Sequence, residues 1–371
     1  MNKINLSENL KLKSMLKKHK NKYTKEYMID RFNKHSKLIW NDIDKFPIGE
    51  RLQKKRRYEL FIKYLKVKIE DIIAGNPEKL QTIIEHVETN FKSLPFRSSD
   101  RIGSSEEQTN LYKQLITIFN YKGFCKADKW GAYELTKALD AIVCPYCDQQ
   151  YIHTHCDEAL NMRATLDHFY DKGTYPFLSI SFYNLIPSCY FCNSIIKYTK
   201  AFTIKTHLHP YLHGFEDHLR FKVKFRKNRG EKEEIDYTKI LEADPKTFTI
   251  GFESNPSSNK EICKLARRNI HDLKIREVYR VHKDYVSEII YKSVVYNEAF
   301  VASLFNTHPK LFTNEEEITR IVLGNYVNLD DQGKRVLSKL ARDIARQFKL
   351  TDRLSFPHNG KLIRRRSLRS K

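Results

Sequence analysis

Residues 144–197 read CPYCDQQYIHTHCDEALNMRATLDHFYDKGTYPFLSISFYNLIPSCYFCNSIIK, and the fold is decided there. Two Cys-x-x-Cys pairs, Cys144/Cys147 and Cys189/Cys192, enclose the dyad Asp167-His168. Asn184 precedes the second pair, and Asn193 follows Cys192 directly. A Cys-x-x-Cys turn supplies two sulfurs from one tight knuckle, and tetrahedral zinc takes four such ligands. Two knuckles therefore predict a closed structural zinc site, whose metal contributes folding energy and not chemistry. The competing readings are a disulfide pair and a redox Cys-x-x-Cys. A thioredoxin-like motif needs one pair, not two. No secretory signal precedes the cysteines, which weakens the disulfide reading.

The residues between the knuckles carry a second chemistry. Asp167 and Asn193 offer hard oxygen donors, suited to Mg2+ or Mn2+ and a poor match for zinc beside thiolates. A neutral imidazole such as that of His168 is the usual general base near neutral pH. The bland alternative makes His168 a hydrogen-bonded core histidine and Asp167 a turn residue. It leaves Asn184, Asn193 and both knuckles unexplained.

This segment resembles the HNH endonucleases of the ββα-metal class, in a zinc-knuckle form with Asn in the last position. The resemblance implies a strand ending at Asp167-His168, a loop, a second strand near Ser179–Tyr183, and a helix starting near Asn193. By position, His168 would be the general base and Asp167 a ligand of the catalytic Mg2+ or Mn2+. Asn184 would pin the loop that orients the histidine, and Asn193 would be the second metal ligand. Lys197 falls one helical turn later, where many such proteins carry lysine. The runs LDHFY and NLIPSCYFCN are similar to those of HNH proteins of bacterial anti-phage systems, Septu-type and retron-associated ones included. Many of those have proline after the aromatic pair, where this chain has Asp171. Such proteins commonly work beside an ATPase encoded nearby, so the resemblance implies such a partner.

Working outward, a chain of 371 residues allows two or three domains and a sizeable core. Hydrophobic residues make up 40% and aromatics 12%, which argues against global disorder. Only 12 Gly and 11 Pro, with long runs rich in Lys, Glu, Leu and Ile, predict a mostly helical α+β protein. No apolar run is long enough for a transmembrane helix, so no membrane partner is expected. The opening MNKINLSENLKLKS lacks the apolar core of a signal peptide, and a cytoplasmic protein is expected.

The net charge of +22 is unevenly spread. Residues 1–57 hold 17 Lys and Arg against 6 Asp and Glu, and the tail Lys361–Lys371 holds six basic residues and no acidic one. A field of this sign attracts polyanions. Taken alone a lysine run is as well read as a solvated face, but beside this core nucleic acid is the expected partner, DNA first and RNA second. A zinc-knuckle binding protein without catalysis is the third reading, and it has no need of Asp167, His168 and Asn193 together. Lys172, Lys197, Arg220, Lys222 and Lys224 are the expected contacts to a phosphate backbone.

Four regions follow: a basic helical region over 1–138, the HNH core with its zinc knuckles over 139–205, a small β-containing extension over 206–256, and a helical region with the basic tail over 257–371. Helical spacing marks 58–73, 77–91 and 106–119, and Ser93–Ser105 reads as a loop. Cys125, Cys156 and Cys263 are left over. Cys156 with His153 and His155 makes a weak metal set beside two complete knuckles. The bend THLHPYLHGFEDH brings His207, His209, His213 and His218 together, and we read it as structural because its spacing fits no strong template. Leu219–Phe225 alternates apolar and basic residues as a half-buried strand does, and Ile235–Ile250 is expected to add strand. Phe252–Asn259 reads as a linker, followed by helices over 260–282, 283–305, 315–323 and 332–348.

Overall fold

Apolar residues three and four apart make one face of a helix, and Leu80, Ile83, Ile84 and Val87 bury such a face along Pro77–Asn90. Asn76 caps that helix, its Oδ1 accepting from the Lys79 N–H at 3.0 Å, and Pro77 opens the first turn where no N–H is needed. The computed structural model describes residues 1–4, 9–156, 160–225, 247–296 and 315–350, with positions 300, 303, 307, 308 and 311. It is a mainly helical α+β protein whose described residues contain three two-stranded antiparallel sheets. No helix among them is long and apolar enough to cross a membrane.

The chain divides into two units. The first comprises Met1–Phe215 and Asn259–Lys274. Its helices are α1 (Asn9–Lys22), α2 (Lys25–His35), α3 (Ile48–Val67), α4 (Ile69–Ala74), α5 (Pro77–Asn90), α6 (Asn110–Ile118), α7 (Tyr121–Cys125) and α8 (Ala132–Leu139), with tight helical turns over Ser36–Lys45. Buried Asp42 in those turns sits at the start of α6, its carboxylate accepting from the N–H groups of Asn110 at 3.1 Å and Leu111 at 2.9 Å. Negative charge at a helix N-terminus is favourable there.

After α8 come β1 (His155–Cys156), β2 (Asn161–Met162), β3 (Thr165–His168), β4 (Leu185–Ser188) and α9, a run of wide helical turns over Phe191–Lys197. β3 and β4 pair antiparallel, with Asp167 opposite Ile186 and His168 opposite Leu185. The second strand thus starts after Asn184, not at Ser179–Tyr183. That stretch alternates like a strand, yet Ser179 and Ser181 are as buried as Ile180 and Phe182. With both sides covered, alternation carries no information about which face is solvated. The segment instead forms a helical turn over Phe182–Asn184.

The N-terminal segment ties the first knuckle to the histidine-rich bend. Asn2 N–H donates to the Pro145 carbonyl and Ile4 N–H to the Pro210 carbonyl, both at 2.8 Å. Gly214 permits this approach, because a Cβ there would lie 2.6 Å from the Lys3 backbone nitrogen. In the bend, His207 bonds Asp272 at 2.8 Å and stacks on Phe202, while His209 is buried against Phe169. α10 (Lys260–Asp272), capped by Asn259, completes this unit.

The second unit comprises the described residues of Glu216–Ser258 and Ile275–Lys371. β5 (Leu219–Phe225) pairs antiparallel with β6 (Phe248–Ser254), from Leu219 opposite Ser254 to Phe225 opposite Phe248. Strand therefore occupies the first three residues of the expected linker, and 226–246, with most of the expected strand over 235–250, lies outside the described residues. α11 (Ile275–Val278), α12 (Lys283–Val295), α13 (Glu315–Leu323) and α14 (Ser338–Gln347) follow. Side chains of α14 bond the backbone of β5. Asp343 accepts from the Phe221 N–H at 2.9 Å, and Gln347 both accepts from the Val223 N–H at 2.8 Å and donates to the Val223 carbonyl at 2.9 Å. A buried Lys339–Asp343 pair at 2.8 Å lies beside them.

Candidate functional site

The four cysteines of the two knuckles converge. Cys144, Cys147, Cys189 and Cys192 are buried, with all four sulfurs within 4.8 Å of one another and those of Cys147 and Cys189 3.9 Å apart. Tetrahedral zinc at about 2.3 Å from each sulfur sets neighbouring sulfurs about 3.8 Å apart, so spacing and donor type both fit a zinc ion. Burial pushes the Cys144 thiol up, whereas bonds from the sulfurs of Cys144, Cys147 and Cys192 pull Cys189 strongly down. Two backbone N–H groups also donate to sulfur, Cys189 to Cys144 Sγ and Cys192 to Cys189 Sγ, as they do around thiolate sites. Among the described residues this is the one group of three or more His, Cys, Asp and Glu side chains placed to hold a metal, and Cys156, exposed with His153 and His155 nearby, is not in it.

β3 delivers Asp167 and His168 beside this cluster, and both are buried, at 2% and 7% exposure. His168 Nε2 lies 2.9 Å from the Ser179 carbonyl oxygen. A carbonyl only accepts, so Nε2 carries the proton and Nδ1 is left with its lone pair. Burial, with Lys172 and Lys197 adding to it, lowers the pKa of His168 to about 3. The ring is therefore neutral at physiological pH, and so low a pKa makes Nδ1 a weak base in this state. Tyr121 packs edge-on against it at 4.5 Å, and Lys172 lies 4.9 Å over the Tyr121 ring.

The loop between β3 and β4 is held at several points. Asn184, with no exposed surface, accepts from the Tyr170 N–H at 2.7 Å and donates to the carbonyls of Tyr170 and Leu178, both at 3.0 Å. Ser179 Oγ donates to the Phe119 carbonyl at 2.6 Å. His19, on α1, bonds the Ile180 carbonyl at 2.8 Å through Nε2 and takes the Trp130 indole N–H at 3.1 Å on Nδ1. Residues 178, 179 and 180 are thus each fixed, and with them the carbonyl that sets the His168 tautomer. Nothing in the spacing of His19 or Ser179 marks them for this task, since both act through backbone distant in sequence.

Asp167 has both carboxylate oxygens engaged. The Tyr146 hydroxyl donates to Oδ2 at 2.6 Å, and the Lys197 ammonium lies 3.1 Å from Oδ1 while also donating to the His168 carbonyl at 2.7 Å. Burial and then the Asp167 charge raise the Tyr146 phenol well above its ordinary range, so it stays a donor. Lys197 is 1% exposed. Its expected place at a nucleic-acid surface is corrected: it is an inward ion-pair partner, because α9 turns its position toward β3. Tyr146 is not singled out by the sequence, although its place inside the first Cys-x-x-Cys is visible there; its bond to Asp167 exists only once the knuckle is folded.

Asn193 lies in the first turn of α9, half-buried, and its side chain takes no hydrogen bond among the described residues. Each Asp167 oxygen keeps a second lone pair and Asn193 offers an amide oxygen, both of the hard donor type that Mg2+ or Mn2+ takes. Arg220, Lys222 and Lys224 project from the less buried face of β5, opposite buried Leu219, Phe221 and Val223. Lys222 is paired with Glu253 at 2.5 Å, and Lys224 is exposed. The basic tail lies outside the described residues. Compared with known proteins, the chain matches no family model, no curated protein and no solved structure.

Proposed function

We propose that this chain is a metal-dependent HNH-type endonuclease that hydrolyses phosphodiester bonds in DNA. The observation that carries the reading is the state of His168: a neutral ring whose proton is held on Nε2 by the Ser179 carbonyl, which leaves Nδ1 as the proton acceptor. Around it, the β3–β4 hairpin and α9 follow the order strand, strand, helix that the ββα-metal resemblance implies, and the four-cysteine cluster ties Cys144 and Cys147, ahead of the hairpin, to Cys189 and Cys192, where β4 passes into α9. Asn184 holds the intervening loop, the task the resemblance gives it.

In this reading His168 Nδ1 takes a proton from the attacking water as it adds to phosphorus, in line with the leaving 3′ oxygen. Products then carry 5′-phosphate and 3′-hydroxyl ends. Asp167 and Asn193 would hold Mg2+ or Mn2+, which supplies stabilisation of the charge developing on the leaving oxygen. In this reading Lys172, over the Tyr121 ring that packs against His168, would meet the substrate phosphate. The resemblance further suggests a role in bacterial anti-phage defence with an ATPase partner.

The test is a cleavage assay on plasmid DNA and on RNA, with Mg2+, Mn2+ or chelator, for wild type and His168→Ala. We expect metal-dependent DNA cleavage that falls roughly 10²–10⁴-fold in the variant, with zinc content and DNA affinity kept. Cleavage of RNA alone moves the substrate. Wild-type cleavage by His168→Ala removes His168 as the base.

A further inference from the structure

Asp167 has a cation beside it already. The Lys197 ammonium, 1% exposed, sits 3.1 Å from Oδ1 of a carboxylate that is itself 2% exposed, and no water-rich surface screens the pair. Its second bond, to the His168 carbonyl at 2.7 Å, and the Phe202 ring 5.1 Å beneath it keep the ammonium in place if Oδ1 is taken by another group. Oδ2 is held independently by Tyr146, the residue following Cys144-Pro145 in the first knuckle.

We propose that Lys197 is the built-in counter-cation of the metal site: it neutralises Asp167 until a divalent ion arrives, gives up Oδ1 to that ion, and by its own charge keeps the ion's affinity low. Tyr146 holds the carboxylate in one orientation through the exchange, so that the zinc knuckle reaches the second metal through a single hydroxyl. The inference rests on the reading of Asp167 as a metal ligand. Two considerations favour it over a purely structural ion pair. A buried pair lends little net stability over apolar groups of similar volume. And a carboxylate meant to bind a divalent ion cannot stay bare in a buried site beforehand, because an unpaired buried charge is costly. A resident ammonium resolves that cost, and its repulsion of the incoming ion makes binding depend on added negative charge, which a substrate phosphate supplies.

The experiment is Mn2+ binding to the full-length, zinc-loaded protein without nucleic acid, read by the electron paramagnetic resonance signal of free Mn2+. Lys197→Met is expected to tighten Mn2+ binding about tenfold or more. Lys197→Gln, which keeps a donor for the His168 carbonyl and guards against a variant that does not fold, is expected to do the same. A role confined to structure would weaken binding in both. Tyr146→Phe is expected to keep its zinc and bind Mn2+ several-fold more weakly, and Asp167→Asn to lose Mn2+ binding. If Asp167→Asn loses binding while both Lys197 variants bind as wild type or more weakly, the counter-cation role is overturned and the metal ligand stands. If Asp167→Asn binds Mn2+ as wild type, Asp167 is not a ligand, and the proposed function falls with the inference.

Discussion

Asn184 pairs with the backbone of Tyr170 as a neighbouring strand would, accepting from its N–H at 2.7 Å and donating to its carbonyl at 3.0 Å. The amide stands in for a ladder rung where the chain leaves β3. Its remaining proton reaches the Leu178 carbonyl, one residue before the carbonyl that holds His168.

Asn184→Ala leaves the buried Tyr170 N–H and carbonyl without partners and removes one of the two donors to the Leu178 carbonyl, which keeps the Ser181 N–H. Each such loss costs about 1–3 kcal/mol, and some of it is recovered by relaxation. We expect a loss of roughly 2–4 kcal/mol in urea unfolding with the slope unchanged. A variant as stable as wild type would show that the loop holds without this clasp.

His19, His168 and His209 are buried and held neutral, with pKa values lowered to about 4, 3 and 3, burial being the largest cause in each. Their unfolded forms titrate near 6.5, so between that pH and about 4 the unfolded chain binds more protons and stability falls as pH falls. By pH 5.5 each contributes a loss of roughly 1.4 kcal/mol relative to neutral pH. Unfolding measured at pH 7.5 and 5.5 should show this decline, and His209→Phe should flatten it. An equal decline in that variant would place the acid sensitivity elsewhere.

For the zinc cluster, Cys147→Ser and Cys192→Ser should lose bound zinc and lower the melting temperature of the whole first unit, read by elemental analysis and circular dichroism. Chelation of wild type should reproduce the effect. An intact fold in a zinc-free variant would reject a structural metal.

Removal of Lys361–Lys371 deletes six positive charges. If they meet phosphates, DNA affinity drops at low salt and the slope of log affinity against log salt becomes shallower, by up to about 0.9 for each phosphate no longer neutralised. Equal affinity across a salt titration returns the tail to a solubilising role.

How far the sequence reveals these features depends on how local their causes are. The cysteine cluster is legible because one residue spacing sets each knuckle. The strand at Thr165–His168 is legible only through the resemblance, which implies a strand ending at Asp167-His168, and Leu219–Phe225 because it has one covered and one less covered face. The strand that the resemblance implies near Ser179–Tyr183 lies a few residues later, because Ser179 bonds the distant Phe119 carbonyl and Ser181 is buried too, and the stretch packs as turns. Lys197 misleads for a related reason: lysine spacing on α9 shows that a charge exists, while its inward direction depends on Asp167 thirty residues earlier. His19 and Tyr146 could be picked out only with the loop and the knuckle already folded around them.

The bonds from α14 to β5 have a consequence for association between chains. Asp343 and Gln347 occupy the N–H groups of Phe221 and Val223, which point away from β6. An edge strand with such groups bare is a template for another strand, the first step toward sheet extension and aggregation. Here an incoming chain must first strip two side chains from the edge and disturb the buried Lys339–Asp343 pair. The hairpin, though only two strands wide, is closed to growth on that side.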